Sequence, residues 1–265
     1  MHASRPRDHP IGAHLDIGST LSWATTHYRP VLPLVLPVLV VQILALVAGE
    51  SAADYAAIGG GRDDAAMATL AVVLGLVAQL VTIGCYIVFA QRINSHAVPR
   101  PAGMPEEARY PDLPLLPVIG FLLLYALAVV AGTVLLVIPG IYLFVRLFFG
   151  DFYIILRGAR VTDAFRQAWE LVRGFWWSTA GMLLVMALLV YLPLMLLALL
   201  LGMPAANDMD NVESVPLNVI LLSNALLGTA QALLMLFGLM MMLYWFHALE
   251  HAQERKKQGE AAGTD

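Results

Sequence analysis

From Leu115 to Leu156 the chain reads LLPVIGFLLLYALAVVAGTVLLVIPGIYLFVRLFFGDFYIIL, in which Arg146 and Asp151 are the only charged side chains. A helix needs about 20 mostly apolar residues to cross a bilayer. The stretch supplies two such spans, Leu115 to Val137 and the shorter Ile141 to Leu156. Between them stands Ile138-Pro139-Gly140. Proline removes a helical donor and glycine frees the backbone, so Pro139 and Gly140 predict the turn of a tight helical hairpin.

Four more apolar stretches flank this hairpin: Val31 to Gly49 and Met67 to Ala90 before it, Ser178 to Leu201 and Asn218 to Ala248 after it. The chain of 265 residues is 60% apolar and 13% charged, with a mean hydropathy of +0.76. A soluble domain carries about 25% charged residues, so this chain has too few to cover a water-facing surface. The expected architecture is all-α, a polytopic transmembrane bundle of six spans. Residues 1-30 form a cytoplasmic N-terminal segment, 31-248 the membrane domain and 249-265 a cytoplasmic tail, disordered beyond a turn or two after Glu254. Pro193 lies inside the fifth span and predicts a kink, not a break, because bundle contacts can satisfy the carbonyl it frees. The prolines between Val98 and Pro117 predict an extended connector.

Cytoplasmic loops retain Lys and Arg. On one side fall Arg5, Arg7 and Arg29, then Arg92, Arg100 and Arg109, then Arg157, Arg160, Arg166 and Arg173, and finally Arg255, Lys256 and Lys257. The opposite loops carry Arg62 among acidic residues such as Glu50, Asp54, Asp208 and Asp210. Both termini are therefore expected in the cytoplasm of a bacterial cell, in its inner membrane. The formal charge of -4 argues against nucleic acid as a partner. The single cysteine, Cys85, excludes an internal disulfide framework. The polar stretch from Met1 to Arg29 lacks the apolar core of a cleavable signal.

Between residues 161 and 173, Val161, Phe165, Ala168, Trp169 and Val172 make one apolar helical stripe, with Asp163, Arg166, Glu170 and Arg173 largely outside it. This pattern predicts an amphipathic helix on the cytoplasmic membrane surface. Thr162 is its expected N-cap, Arg166 and Glu170 are spaced for an i,i+4 pair, and Gly174 ends it. It either packs beneath the bundle or senses anionic lipid or a partner. Asp16 to Tyr28 carries a weaker version of the same pattern.

Three pieces in order carry a family resemblance: Ile138-Pro-Gly-Ile-Tyr-Leu-Phe-Val-Arg146, Leu156-Arg-Gly-Ala-Arg160 and Asp163-Ala-Phe-Arg-Gln-Ala-Trp-Glu-Leu-Val-Arg-Gly174. They resemble the YciC-like family of bacterial inner-membrane proteins, and the related membrane domain found ahead of some glycerophosphodiester phosphodiesterases. The resemblance implies an envelope-associated membrane protein without an assigned reaction. The phosphodiesterase's catalytic barrel has no counterpart, because no hydrophilic stretch is long enough to supply it.

A charge inside a span costs on the order of 2.5 to 3.5 kcal/mol at the bilayer centre, so Arg146 and Asp151 need an explanation. On an ideal helix they point about 140° apart and are not mutual partners. Arg146 can snorkel, either can pair with a neighbouring helix, or the two can serve transport. Gln79, Asn224 and Gln231 are further intramembrane polar candidates, with Asn224, Gly228 and Gln231 on one helical face. Ala71 with Gly75, and Ala128 with Gly132, are spaced for close helix approach.

His247-Ala-Leu-Glu-His251 matches the inverted zinc-protease motif, and Glu254 shares its face. The third ligand of such an enzyme lies well downstream, where few residues remain, so His247, His251 and Glu254 are weak metal candidates. No cofactor and no catalytic residue is expected. The sequence points to a non-enzymatic envelope-maintenance or accessory protein that acts through membrane lipids, a membrane-protein partner or a second copy of itself. The rival is a small transporter or lipid-translocating protein using Arg146 and Asp151.

Overall fold

A computed structural model describes residues 15–55, 65–98, 113–206 and 217–262. Among these residues the fold is all-α and without strands, and six of its helices are long and apolar enough to cross a membrane. The order is α1 (Ile17–Tyr55), α2 (Ala65–Ala97), α3 (Leu115–Leu135), α4 (Val137–Leu147), α5 (Gly150–Arg157), α6 (Val161–Leu171), α7 (Trp176–Ala206) and α8 (Leu217–Ala262). The fourth span is α4 and α5 together.

The chain forms two compact units. The first comprises residues up to Pro33, Ala90–Met186 and those from Leu239 onward. Its core is aromatic: Phe246 stacks on Phe152 at 5.4 Å and meets Tyr153 edge-on at 5.1 Å, with Phe149 beside both. Gly150 is glycine because the Phe121 ring of α3 occupies the place of its Cβ. Trp245 donates its indole N–H to the Thr179 hydroxyl at 3.4 Å. In this unit Asp16 starts α1 by accepting the Gly18 N–H at 2.7 Å, as N-cap carboxylates do.

The second unit comprises Leu34–Phe89 and Ala187–Gly238. Small residues bring its helices together. A Cβ on Gly49 of α1 would stand 2.9 Å from Ala78 Cβ of α2, and one on Gly228 of α8 3.3 Å from Val47 Cγ2 of α1. Of the small residues on α2, Gly75 has open space where its own Cβ would be. The close approach centres on Gly49, whose Cβ would also stand 4.0 Å from Gly75 Cα, so Gly75 shares in it through its backbone.

Several sequence expectations change. The hairpin is present, but the chain turns at Leu136, which is extended (φ -163°, ψ 141°), and Ile138-Pro139-Gly140 belongs to the first turns of α4. Proline is tolerated early in a helix, where its missing N–H would lack a partner in any case. Gly140 serves packing instead: a Cβ there would stand 2.8 Å from Thr133 Cα on α3. The least apolar span is also the most buried, with 56% of its apolar window covered against 17% for Trp176–Leu201, so protein takes the place of lipid around it.

Asp16 to Tyr28 is no separate surface helix but the start of α1, which runs on through Pro30, Pro33 and Pro37. Helix α7 continues through Pro193. The C-terminal tail, expected to lose order soon after Glu254, stays helical to Ala262. Most of the Val98–Pro117 connector lies outside the described residues, while Leu115 to Pro117 already belong to α3.

Candidate functional site

Charged and polar side chains of the first unit gather where α2, α5, α6 and α8 come together. Helix α5 ends at Gly158, whose left-handed backbone (φ 64°) lets its N–H reach Ile154 O at 3.0 Å. Arg157, just before this turn, lies 5.6 Å over the Tyr153 ring and ion-pairs with Glu250 of α8 at 2.5 Å. Glu250 also stands 3.4 Å from His247 Nδ1, and the other ring nitrogen of His247 lies 2.7 Å from Asn94 Oδ1 of α2. A continuous polar chain, Asn94–His247–Glu250–Arg157, results.

Helix α6 supplies the adjoining wall. Its last carbonyls are capped by one side chain of α8: the Gln253 amide donates to Glu170 O at 3.1 Å, Leu171 O at 2.9 Å and Arg173 O at 2.7 Å. A helix C-terminus leaves such carbonyls without intrahelical donors. Gly174 turns the chain away with φ 89°, and the Lys256 ammonium lies over this turn, 3.6 Å from where a Gly174 Cβ would stand. A cation there complements the negative end of the α6 dipole.

These groups enclose an open cavity of about 550 Å³. Its base is Tyr153, Arg157 and Glu250; Gln167, Glu170, Leu171 and Arg173 line the α6 side; Gln253, Glu254, Lys256 and Lys257 line the α8 side. Glu250 is largely buried, its side chain 14% exposed, whereas Arg157 is 56% exposed.

The residues singled out in the sequence are distributed differently. Arg146 neither reaches this cavity nor meets Asp151. It donates to the Tyr142 hydroxyl at 2.9 Å and to Trp169 O at 2.8 Å, and its guanidinium lies 4.9 Å from the Trp169 ring and 5.1 Å from that of Tyr142. It ties α4 to α6. Asp151 is buried in the first turn of α5, where its Oδ1 accepts the Phe152 N–H at 2.9 Å. A carboxylate suits that position, because helix N-termini present unpaired donors and positive partial charge. The ideal-helix separation of the two does not apply, since the helix breaks at Phe148 and Phe149.

In the second unit Asn224 is buried and donates to the Ser51 hydroxyl at 3.2 Å, Gln231 is half-buried, and Gln79 is exposed on α2. Asn224 and Gly228 both face α1, as their shared helical face predicts.

The amphipathic helix expected between residues 161 and 173 exists as α6, rotated from the expected stripe. Ala164, Ala168, Leu171 and Val172 are buried, Phe165 is partly covered against the Phe121 ring at 4.7 Å, and Trp169 remains 40% exposed beside Arg146. The alanines let α6 lie close on its neighbours, and the bulky rings fall at the edges. The helix begins at Val161 after an extended Arg160, not at a Thr162 cap, and Arg166 pairs with Asp163 at 3.5 Å instead of with Glu170, which faces the cavity.

The H-x-x-E-H residues do not converge. His247 engages Asn94 and Glu250, while His251 stands 3.8 Å from Glu254. Among the described residues no three His, Cys, Asp or Glu side chains are arranged to hold a metal ion.

Sequence reasoning missed Tyr153, Gln253, Lys256 and Lys257 as parts of one site. The available signal was Trp245, Leu249 and Ala252, whose spacing carries the apolar face of α8 into its polar C-terminal stretch. No family model matches the chain, and no curated protein or solved structure matches it significantly.

Proposed function

We propose that the chain is a multi-pass protein of the bacterial inner membrane with both termini in the cytoplasm. It works as a non-enzymatic envelope-maintenance or accessory protein through membrane lipids or a membrane-protein partner. The observation that carries this reading is the cavity at the ends of α5, α6 and α8, where charged side chains stand within reach of a ligand. The excess of Lys and Arg in the segments on that side supports a cytoplasmic position. The resemblance of the Ile138–Gly174 motifs to the YciC-like family supports the envelope role.

The transport alternative needs Arg146 or Asp151 to meet a moving solute. The accessory reading is supported by the contacts each one makes: Arg146 ties α4 to α6 through Trp169 O, and Asp151 accepts the Phe152 N–H in the first turn of its own helix. Their cost in the membrane is offset by local partners, as is usual for structural intramembrane charges.

The test is complementation in cells lacking the protein, scored as entry of a membrane-impermeant dye. Asp151→Asn should restore the barrier as fully as the wild type, and Arg173→Ala with Lys256→Ala and Lys257→Ala should not. Failure of Asp151→Asn despite normal insertion, with the triple variant active, would establish the transport reading in its place.

A further inference from the structure

The cavity of the first unit has a lining that limits what it can hold. Its volume of about 550 Å³ lies within the usual 300 to 1,000 Å³ range of small-ligand sites. Arg157 and Glu250 neutralise each other at the base. Above them the walls carry three cations, Arg173, Lys256 and Lys257, and two carboxylates, Glu170 and Glu254, all exposed. A ligand that satisfies both sets carries an anion and a cation.

The anion is constrained by number. Three cationic side chains can approach a group with several oxygen acceptors at once, which fits a phosphate ester better than a single carboxylate. Lys256 is already positioned over the capped end of α6, so part of the cationic wall is built before a ligand arrives.

The cation is constrained by chemistry. Quaternary ammonium groups are recognised by cages of aromatic rings. Among the described residues Tyr153 is the single aromatic one of the lining, and Arg157 lies over its ring. The remaining groups, the Glu170 and Glu254 carboxylates and the Gln167 amide, accept hydrogen bonds. A primary ammonium can donate them and a quaternary one cannot.

The location adds a source. Arg157 is the last residue of the fourth membrane-crossing segment, and α8 turns from apolar to charged at Glu250, its ion-pair partner. The cavity therefore opens at the end of apolar helices, the depth at which phospholipid headgroups reside.

We propose that this cavity is a binding site for a phosphate ester bearing a primary ammonium, the chemistry of a phosphoethanolamine headgroup, with phosphate on Arg173, Lys256 and Lys257 and ammonium on Glu170 and Glu254. The proposal rests on the accessory, lipid-linked reading above, and its test does not use the cellular phenotype.

The full chain is reconstituted in nanodiscs of phosphatidylcholine containing equal small fractions of phosphatidylethanolamine and phosphatidylglycerol, and the lipid retained on gentle release is identified by native mass spectrometry. Soluble O-phosphoethanolamine and phosphocholine are titrated in parallel by isothermal calorimetry. Retention of phosphatidylethanolamine about ten-fold above the other two lipids, lost in R173A/K256A/K257A and reduced in E170Q/E254Q, is the expected result and identifies a lipid source. Saturable binding of O-phosphoethanolamine but not phosphocholine, without lipid retention, supports the same chemistry with a soluble source. Equal retention of all three lipids with no soluble binding would overturn the proposal. So would a preference for phosphatidylglycerol that E170Q/E254Q leaves intact, because the carboxylates would then have no part. If the triple variant fails to fold, the wild-type selectivity and the E170Q/E254Q pair still decide. Selective binding with an unaffected dye barrier would retain the site and remove the envelope role.

Discussion

The two units of the molecule treat polarity in opposite ways. In the first, polar side chains form a run of partners, Asn94 to His247 to Glu250 to Arg157, next to a cavity with more charges around it. Among the described residues of the second, polar groups are few. Asn224 finds Ser51, but the buried Gln42 Oε1 has no hydrogen-bond partner among the described residues. Apolar residues such as Leu44, Val72, Leu76 and Leu196 dominate its exposed faces. Helices in lipid associate through close packing of small residues and not through a hydrophobic drive, and Gly49 and Gly228 provide that packing. The contrast teaches that the second unit meets the demands of a bilayer, whereas the first gathers its polar groups around one cavity.

The largest test of this contrast is a matched pair of glycine substitutions. Gly150→Leu would drive a side chain into the Phe121 ring and should cost about 3 kcal/mol or prevent folding, the upper end of overpacking effects. Gly75→Leu meets open space and should change stability by no more than about 0.5 kcal/mol, read by denaturant titration in detergent. A large loss at Gly75 would mean that a neighbour, either α1 at Gly49 or a second copy of the chain, occupies this space.

Next comes the polar run. Glu250→Ala leaves Arg157 and the largely buried His247 without their shared carboxylate, at a cost of about 1 to 3 kcal/mol in the same titration. Glu254→Ala removes only an exposed, distant contact to His251 and should lie within about 1 kcal/mol of wild type. Equal losses would show that the run contributes no more than the surface does.

Gln42→Leu should go the other way. Replacing an amide whose buried oxygen is unsatisfied by an apolar group of similar size removes a desolvation penalty of about 1 to 3 kcal/mol, so the variant should be more stable. A loss of stability would reveal a partner for Gln42. The smallest effect is expected for Asn224→Ala, about 0.6 kcal/mol, typical of an interhelical hydrogen bond in a membrane.

The fold was legible in the sequence wherever composition decides it. The six spans and the hairpin follow from long apolar runs, and Gly174 as the end of the surface helix follows from its freedom at positive φ. What was not legible depends on neighbours. The break at Phe148 and Phe149 lies in an apolar run, and only Gly150 hints at it, through a contact with Phe121 that no local pattern encodes. The rotation of α6 depends on Ala164 and Ala168 fitting against adjacent helices while Trp169 stays beside Arg146.

The candidate site was less legible still. Arg146 and Asp151 attracted notice because charge is costly in a membrane, yet each is held by partners that a linear reading does not reveal: the Trp169 carbonyl and the first turn of a helix whose start is hidden. The cavity joins Arg157 and Arg173 to Gln253, Lys256 and Lys257, residues far apart in the chain. The apolar spacing of Trp245, Leu249 and Ala252 was present in the sequence, but the polar composition after Glu254 masked it.

A working end that faces the cytoplasm is the central claim, and cysteine labelling tests it most directly. In a Cys85→Ala background, Lys257→Cys and Asp210→Cys are treated separately with a membrane-impermeant maleimide on intact spheroplasts, then again after permeabilisation. The predicted result is that Asp210→Cys reacts at once and Lys257→Cys only after the membrane is opened. Labelling of Lys257→Cys in intact spheroplasts, with Asp210→Cys protected, would contradict it.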